Sequence, residues 1–194
     1  MQYPLKMTFR LFALSQQISI TDANGQIVLY VKQKMFRFKE KIEVFADTEM
    51  KQKRFEINAD RVIDFSANYH FTDIEGNDWG AVRREGMRSL WSAHYDVYDA
   101  SGIDMTIREE DPWKRVVEGL LGEIPIVGFL VVYWLNPSYL VRGMNGEVGL
   151  RVVKKPSVFE RCFEIEKRAE MDPDDEVRAL LALIMMVLLE KSRG

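Results

Sequence analysis

The sequence predicts a mainly-β protein: an antiparallel sheet closed into a barrel around one hydrophobic helix. Three observations carry this reading. The stretch from Ala179 to Leu189 is apolar at every position. Many earlier segments alternate apolar and polar residues, and the turns between several of them share one pattern, Asp-x-x-Gly.

The apolar stretch follows Asp172-Pro173-Asp174-Asp175-Glu176 and stops at Glu190-Lys191-Ser192-Arg193-Gly194. This flanking predicts a helix over 173–190, with Asp172 as N-cap, Pro173 in the first turn and carboxylates at the positive pole of the macrodipole. Leu, Ala and Met are strong helix formers, and no Gly or Pro interrupts the run. A surface helix is apolar along one stripe; one that is apolar all round must be surrounded. The run falls short of the about 20 residues that span a bilayer. A sheet closed around it gives it an apolar neighbour on every side and removes the sheet edges as well.

The strands are legible by parity. Met7, Phe9, Leu11 and Ala13 alternate with more polar neighbours; Ile18 and Ile20 lead to a turn, and Ile27 to Val31 resume as strand. Phe36, Phe38, Ile42 and Val44 lie on one parity and Arg37, Lys39, Lys41 and Glu43 on the other, which gives an apolar inside and a basic outside. Phe55 and Ile57 continue the pattern. Late in the chain Phe159, Phe163 and Ile165 stand opposite Glu160, Cys162, Glu164 and Glu166. The turns Asp22-Ala23-Asn24-Gly25, Asp73-Ile74-Glu75-Gly76 and Asp99-Ala100-Ser101-Gly102, with Gly143-Met144-Asn145-Gly146 as a variant, suit short hairpins closing on a bulge. Their first Asp accepts bonds from its own turn, and the Gly tolerates positive φ. None has the spaced acids of a calcium-binding hand.

Two segments depart from this pattern. Asp111 to Leu121 reads as a short amphipathic helix capped by Asp111-Pro112. Ile124 to Leu135 is almost wholly apolar and broken by Pro125 and Gly128; it reads as a buried strand after a loop, with a membrane-inserting hairpin as the alternative.

At 194 residues the chain is expected to form one domain, 1–194, with the helical and apolar insertion around 111–135. Hydrophobic residues make up 47%, enough for a substantial core, and a net charge of -3 argues against a dedicated nucleic-acid binder. The lone Cys162 excludes an internal disulfide framework and fits a reducing compartment. No signal segment or transmembrane span is legible, so the expected location is cytoplasmic. Residues 1–54 nevertheless hold ten Lys and Arg against five Asp and Glu. Lys32, Lys34, Arg37, Lys39 and Lys41 dominate this excess, with Lys51, Lys53 and Arg54 beyond them. Such a face is either solvated surface or a patch for an anionic partner such as a phosphoinositide head group. Arg83, Arg84 and Arg88 would join it if the barrel brings them near.

Catalytic chemistry is thinly represented. His70 and His94 have no metal-ligand spacing with each other or with Cys162. There is no Gly-x-Ser-x-Gly elbow, no P-loop and no dinucleotide fingerprint. Cys162 is a nucleophile only if a distant His reaches it; on its strand's polar parity it reads more simply as an inert, partly covered thiol. No catalytic residue, cofactor or metal is assigned.

Val31 to Phe45, the recurrent hairpins ending in Gly, and Asp174-Asp175-Glu176-Val177 running into the closing helix together resemble the LURP-one-related family, of the tubby C-terminal-like and phospholipid-scramblase superfamily. The resemblance implies a closed antiparallel barrel of about twelve strands around the C-terminal helix. It is weakest from about Asp111 to Leu135, which is longer and more apolar than the usual connection. Scramblases of the superfamily carry a calcium-associated acidic stretch before that helix; here Asp172, Asp174, Asp175 and Glu176 occupy the position, and capping explains them without metal. Tubby-like domains bind phosphoinositides, so the resemblance contributes a class of ligand and no site. The resulting expectation is a non-enzymatic binding or scaffold domain that associates peripherally with anionic membrane lipid through Lys32, Lys34, Arg37, Lys39 and Lys41, or with a protein partner. The alternatives are a scramblase-like membrane-active protein, nucleic-acid or regulatory-protein binding, and an enzyme with a site the sequence does not reveal.

Overall fold

The computed structural model describes residues 1–12, 15–34, 41–60, 67–85, 94–111, 137–157 and 160–191. Side chains are described for these except Leu11, Phe12, Lys34 and Lys191. Asp111 aside, the short helix and the apolar segment expected before Ser138 lie outside these residues, as do Phe36, Phe38 and Phe159.

Twelve strands run in order: β1 (Leu5–Phe12), β2 (Ser15–Thr21), β3 (Ile27–Lys34), β4 (Lys41–Phe45), β5 (Lys53–Ala59), β6 (Asn68–Asp73), β7 (Asp78–Arg84), β8 (His94–Asp99), β9 (Gly102–Glu109), β10 (Ser138–Gly143), β11 (Val148–Lys155) and β12 (Arg161–Lys167). Among the described residues one helix, α1 (Pro173–Lys191), follows the strands. Each strand pairs antiparallel with its neighbours in sequence, and β1 pairs with β12 to close the barrel, Met7 standing opposite Phe163 and Leu5 opposite Ile165.

The period-two pattern becomes an inside and an outside. Met7, Ile18, Val44, Ile57, Phe71, Val97, Ile107 and Val152 face the lumen with at most 1% of their surface exposed. Lys6, Arg10, Lys32 and Lys41, on the opposite parity, are exposed. This is the reverse of the pattern by which barrels cross bilayers, apolar outside and polar within. Among the described residues no helix is long and apolar enough to cross a membrane.

α1 fills the lumen, and from Ala179 to Leu189 no residue is more than 3% exposed. The fit is one of length as well as polarity. Those residues rise about 16 Å along the helix. An eight-residue strand rises about 26 Å, or about 20 Å along the barrel axis at the usual tilt of about 40°. Asp172 is the N-cap: its Oδ1 accepts from the Asp174 amide at 2.9 Å and its carbonyl from the Glu176 amide at 2.9 Å.

Chain direction sorts the connections. The turns after β2, β4, β6, β8 and β10 all lie at one rim, the rim through which α1 enters. In Asp22–Gly25 and Asp73–Gly76 the Gly amide bonds back to the Asp carbonyl at 2.9 and 3.2 Å, while the Asp carboxylate accepts further amides of its own turn. Asp73 also accepts from the Asn77 amide nitrogen and the Trp79 indole, and these bonds, the Asn77 side chain's foremost, hold its carboxyl down at about 2. A fifth turn, Asp47-Thr48-Glu49-Met50, is built the same way, Asp47 accepting from the amides of Lys51 at 3.2 Å and Gln52 at 2.7 Å. Met50 stands where its counterparts have Gly and carries φ 59°.

Two outcomes follow. Leu183→Asp places a carboxylate where no atom is exposed, at a cost of several kcal/mol, about 3 or more; the expected product is insoluble or unfolded, and a soluble, cooperatively melting variant would contradict a buried helix. Met50→Gly relieves a left-handed backbone on an exposed turn and is expected to raise stability by about 1 kcal/mol, less whatever the freer unfolded chain takes back. Urea midpoints measure this, and a lower midpoint would show that Met50 is not strained.

Candidate functional site

The five turns bring in five register shifts, at Ile20/Thr21, Val44/Phe45, Phe71/Thr72, Val97/Tyr98 and Val141/Arg142. In each, the strand leaving the turn carries one unpaired residue: Val28, Arg54, Trp79, Asp104 and Gly149. A bulge re-aims its residue, and three of these five serve the mouth of the barrel. The Trp79 carbonyl accepts from Arg178 Nε at 2.8 Å, and the Asp104 carboxylate accepts from Arg178 Nη1 at 2.7 Å. The Gly149 carbonyl accepts the amide of Arg168 at 2.8 Å on the way into α1. Arg178 also holds Asp175, one turn back on α1, at 2.6 Å. Gly80 makes room for this guanidinium: at φ 101° it packs so closely that a Cβ would sit 2.0 Å from the Tyr98 carbonyl and 3.1 Å from the Arg178 side chain.

Beside this clamp lies a cleft of about 260 Å³. Met105 and Met171 line its apolar side; Asp104, Glu147, Glu170, Asp172 and Asp175 line the rest, with no Lys or Arg among the lining residues. Met171 packs directly on Gly149, where a Cβ would meet its Sδ at 2.3 Å. Burial, and then Asp175, push the Asp104 carboxyl up despite Arg178. At the edge of this cleft, Lys167 pairs with Glu176 and with the lining residue Glu170 at 3.0 Å and lies 6.0 Å over the Tyr3 ring; burial, then Glu176, push the Tyr3 phenol up to about 12. Asp172, Asp175 and Glu176 are thus occupied in capping and ion pairs, and among the described residues no group of three His, Cys, Asp or Glu is placed to hold a metal ion.

The far end of α1 has its own clamp. Tyr95 donates to Glu190 at 2.9 Å and Arg84 pairs with Glu190 at 3.2 Å, with the guanidinium over the Tyr95 ring. This corrects one expectation. Arg84 is only 2% exposed, on the parity of Val82, and its charge serves the lumen rather than the outer patch. Arg83 is exposed, but it lies on β7 opposite Asp96, three strands or about 14 Å around the wall from β4. Arg88 lies outside the described residues.

Of the five cationic candidates, Lys32 is exposed on β3, and among the described residues no carboxylate pairs with it. Lys34 ends β3. Arg37 and Lys39 lie outside the described residues. Lys41 is exposed on β4 and meets Glu56 at 2.6 Å; Glu56 also takes Lys53 at 2.6 Å, and Lys53 lies 3.7 Å from Glu43. The described part of this face, Lys41 and Glu43 on β4 with Lys53 and Glu56 on β5, therefore carries as many carboxylates as cations. Sequence reasoning missed this pairing because it depends on cross-strand register, which sets Glu43 opposite Glu56.

Cys162 faces outward on β12, and burial pushes its thiol up, against its activation as a nucleophile. His70 is on β6, six strands around the ring, and His94 on β8, four strands away. The barrel does not bring either to the thiol.

A family model described as LURP-one-related matches residues 27–179. The chain belongs to the LURP-one-related family. Comparison with curated proteins gave no match. Comparison with solved structures likewise gave none. The matched span runs from the start of β3, through the cationic face and the bulged mouth, into the first residues of the buried helix. In this LURP-one-related barrel the Gly80–Arg178 contact ties the last element to the wall, which gives a controlled comparison. Gly76→Ala, at φ 87° with no atom within 4 Å of the new Cβ, adds backbone strain alone; Gly80→Ala adds strain and a backbone clash. The first is expected to cost about 1–2 kcal/mol, the second clearly more. Equal urea midpoints for the two would mean that the wall at Gly80 yields and the clamp is not tight.

Proposed function

We propose that this LURP-one-related barrel is a non-enzymatic binding domain that associates peripherally with anionic membrane lipid through the outer face of β3 and β4. The observation that carries the reading is the filled lumen. With α1 in place, Leu183 and its neighbours occupy the lumen between the described strands, which favours the outer wall and the rims for recognition. On that wall Lys32 has no carboxylate partner among the described residues, and Lys41, itself half-exposed, pairs with the better-covered Glu56. Exposed ion pairs contribute about 0–1 kcal/mol, so a lipid phosphate can draw Lys41 away from Glu56 at small cost. Each Lys near an anionic leaflet contributes about 1 kcal/mol, which makes a cluster of such residues adequate for reversible association. Lys34, Arg37 and Lys39 are the other candidates for that cluster.

Co-sedimentation with phosphatidylcholine, phosphatidylserine and phosphoinositide vesicles tests the reading. Association is expected with the anionic vesicles only, falling steeply between low and physiological salt. The double variant Lys32→Glu, Lys41→Glu should lose most of it. No association at low salt, or association insensitive to salt, would overturn it.

A further inference from the structure

The acidic mouth of the barrel does not belong to a surface for anionic lipid. We infer that the cleft beside α1 is a docking site for a basic segment of a protein partner, taking one Lys or Arg side chain between Met144 and Met171 with its cationic head against Glu147 and Glu170.

Four features of this rim point the same way. The cleft, at about 260 Å³, is below the usual 300–1,000 Å³ of small-molecule pockets and suits a single long side chain. Its lining divides into thioethers and carboxylates, which matches the two parts of such a side chain, an aliphatic stem and a cationic head. Its chemistry already accepts a guanidinium, since Arg178 of this chain holds Asp104 at 2.7 Å and Asp175 at 2.6 Å from within. Beyond that internal cation, Glu147 has no ion-pair partner among the described residues, and Glu170, 96% exposed at its side chain, holds Lys167 at 3.0 Å only in a solvent-screened pair that an incoming cation can share.

The fourth feature is apolar. Met144 is 64% exposed on the turn after β10 and Ile103 42% near the start of β9, and the Met144 amide is tied at 3.2 Å to the carbonyl of the bulge residue Asp104. Large exposed side chains at the edge of a charged cleft mark protein contact surfaces, and Met adapts its shape to varied partners. Charge then selects the occupant. An anionic bilayer is repelled by this rim, and an acidic peptide likewise. A segment alternating Lys or Arg with an apolar residue satisfies both the carboxylates and the exposed Met144 and Ile103.

Fluorescence anisotropy of the full chain with a labelled peptide, acetyl-Arg-Leu-Lys-Leu-Arg-amide, tests this, with acetyl-Glu-Leu-Glu-Leu-Glu-amide as the charge-reversed probe. Saturable binding of the first and none of the second is expected. Glu147→Lys with Met144→Ser should weaken it by about tenfold or more, while Lys32→Glu leaves it unchanged, which separates this site from the lipid face. Both mouth positions sit on an exposed turn, and an unchanged melting temperature verifies the fold; Glu170→Gln is the second variant should the first fail to fold. Equal binding of the two probes, no saturable binding, or binding indifferent to the mouth variants would overturn the inference. So would association with neutral phosphatidylcholine vesicles that Met144→Ser abolishes, since the rim would then be a membrane contact.

Discussion

A helix that is apolar on every side has no stable place in water, and the rest of this structure follows from giving it one. The wall needs an inward apolar face from every strand, and it gets one because side chains alternate. The wall must also close, since an open sheet would leave one side of α1 wet. Closure is what the β1–β12 pairing supplies, joining residues more than 150 positions apart in the sequence, Met7 with Phe163 among them. Burial of a single Leu contributes about 1.5–3 kcal/mol. The run from Ala179 to Leu189 therefore accounts for much of the driving force, and the strands have no comparable core without it.

Hydrophobicity does not set where along the axis the helix stops, because a greasy cylinder can slide in a greasy sleeve. The charged residues at the two ends of the run do that. Arg178 stands immediately before it and Glu190 immediately after, and each meets polar groups of the wall at its own rim: Trp79 and Asp104 for the first, Tyr95 and Arg84 for the second. Moving α1 by one turn, about 5.4 Å, would strand one charge in the lumen and leave its partners unmatched. Carrying an unpaired charge into the apolar lumen costs several kcal/mol, about 3 or more, so axial register is fixed more sharply than polarity alone would fix it.

Much of this is legible in the sequence. The helix, the alternating strands and the Asp-x-x-Gly turns all depend on local rules, and local rules show in sequence. What escaped depends on register. The turn at Asp47 was hidden because Met50 occupies the position that a Gly marks elsewhere. Arg84 read as surface because its neighbours Arg83 and Arg88 are also basic, although its parity with Val82 pointed inward. Lys41 read as a free cation but is paired by Glu56, on a strand whose alignment no single segment encodes. The bulge residues were beyond reach for the same reason: nothing in Asp104 or Trp79 alone says that an extra residue turns each toward Arg178.

The bulges explain why chemistry collects at one rim. Short turns with a bulge hold the backbone tightly, and they cluster at the mouth because every second connection of an antiparallel barrel returns there. The helix N-terminus comes through the same opening, bringing its own acids to cap its amides. Turn-initiating Asp residues and helix-initiating Asp residues are thus placed together by two independent structural needs, and their sum is a negative mouth. The cations of β3 and β4 project from the outer wall, away from that opening. An anionic surface approaching the barrel is attracted at one place and repelled at the other, so the charge pattern that folding imposes also orients the molecule against whatever it meets.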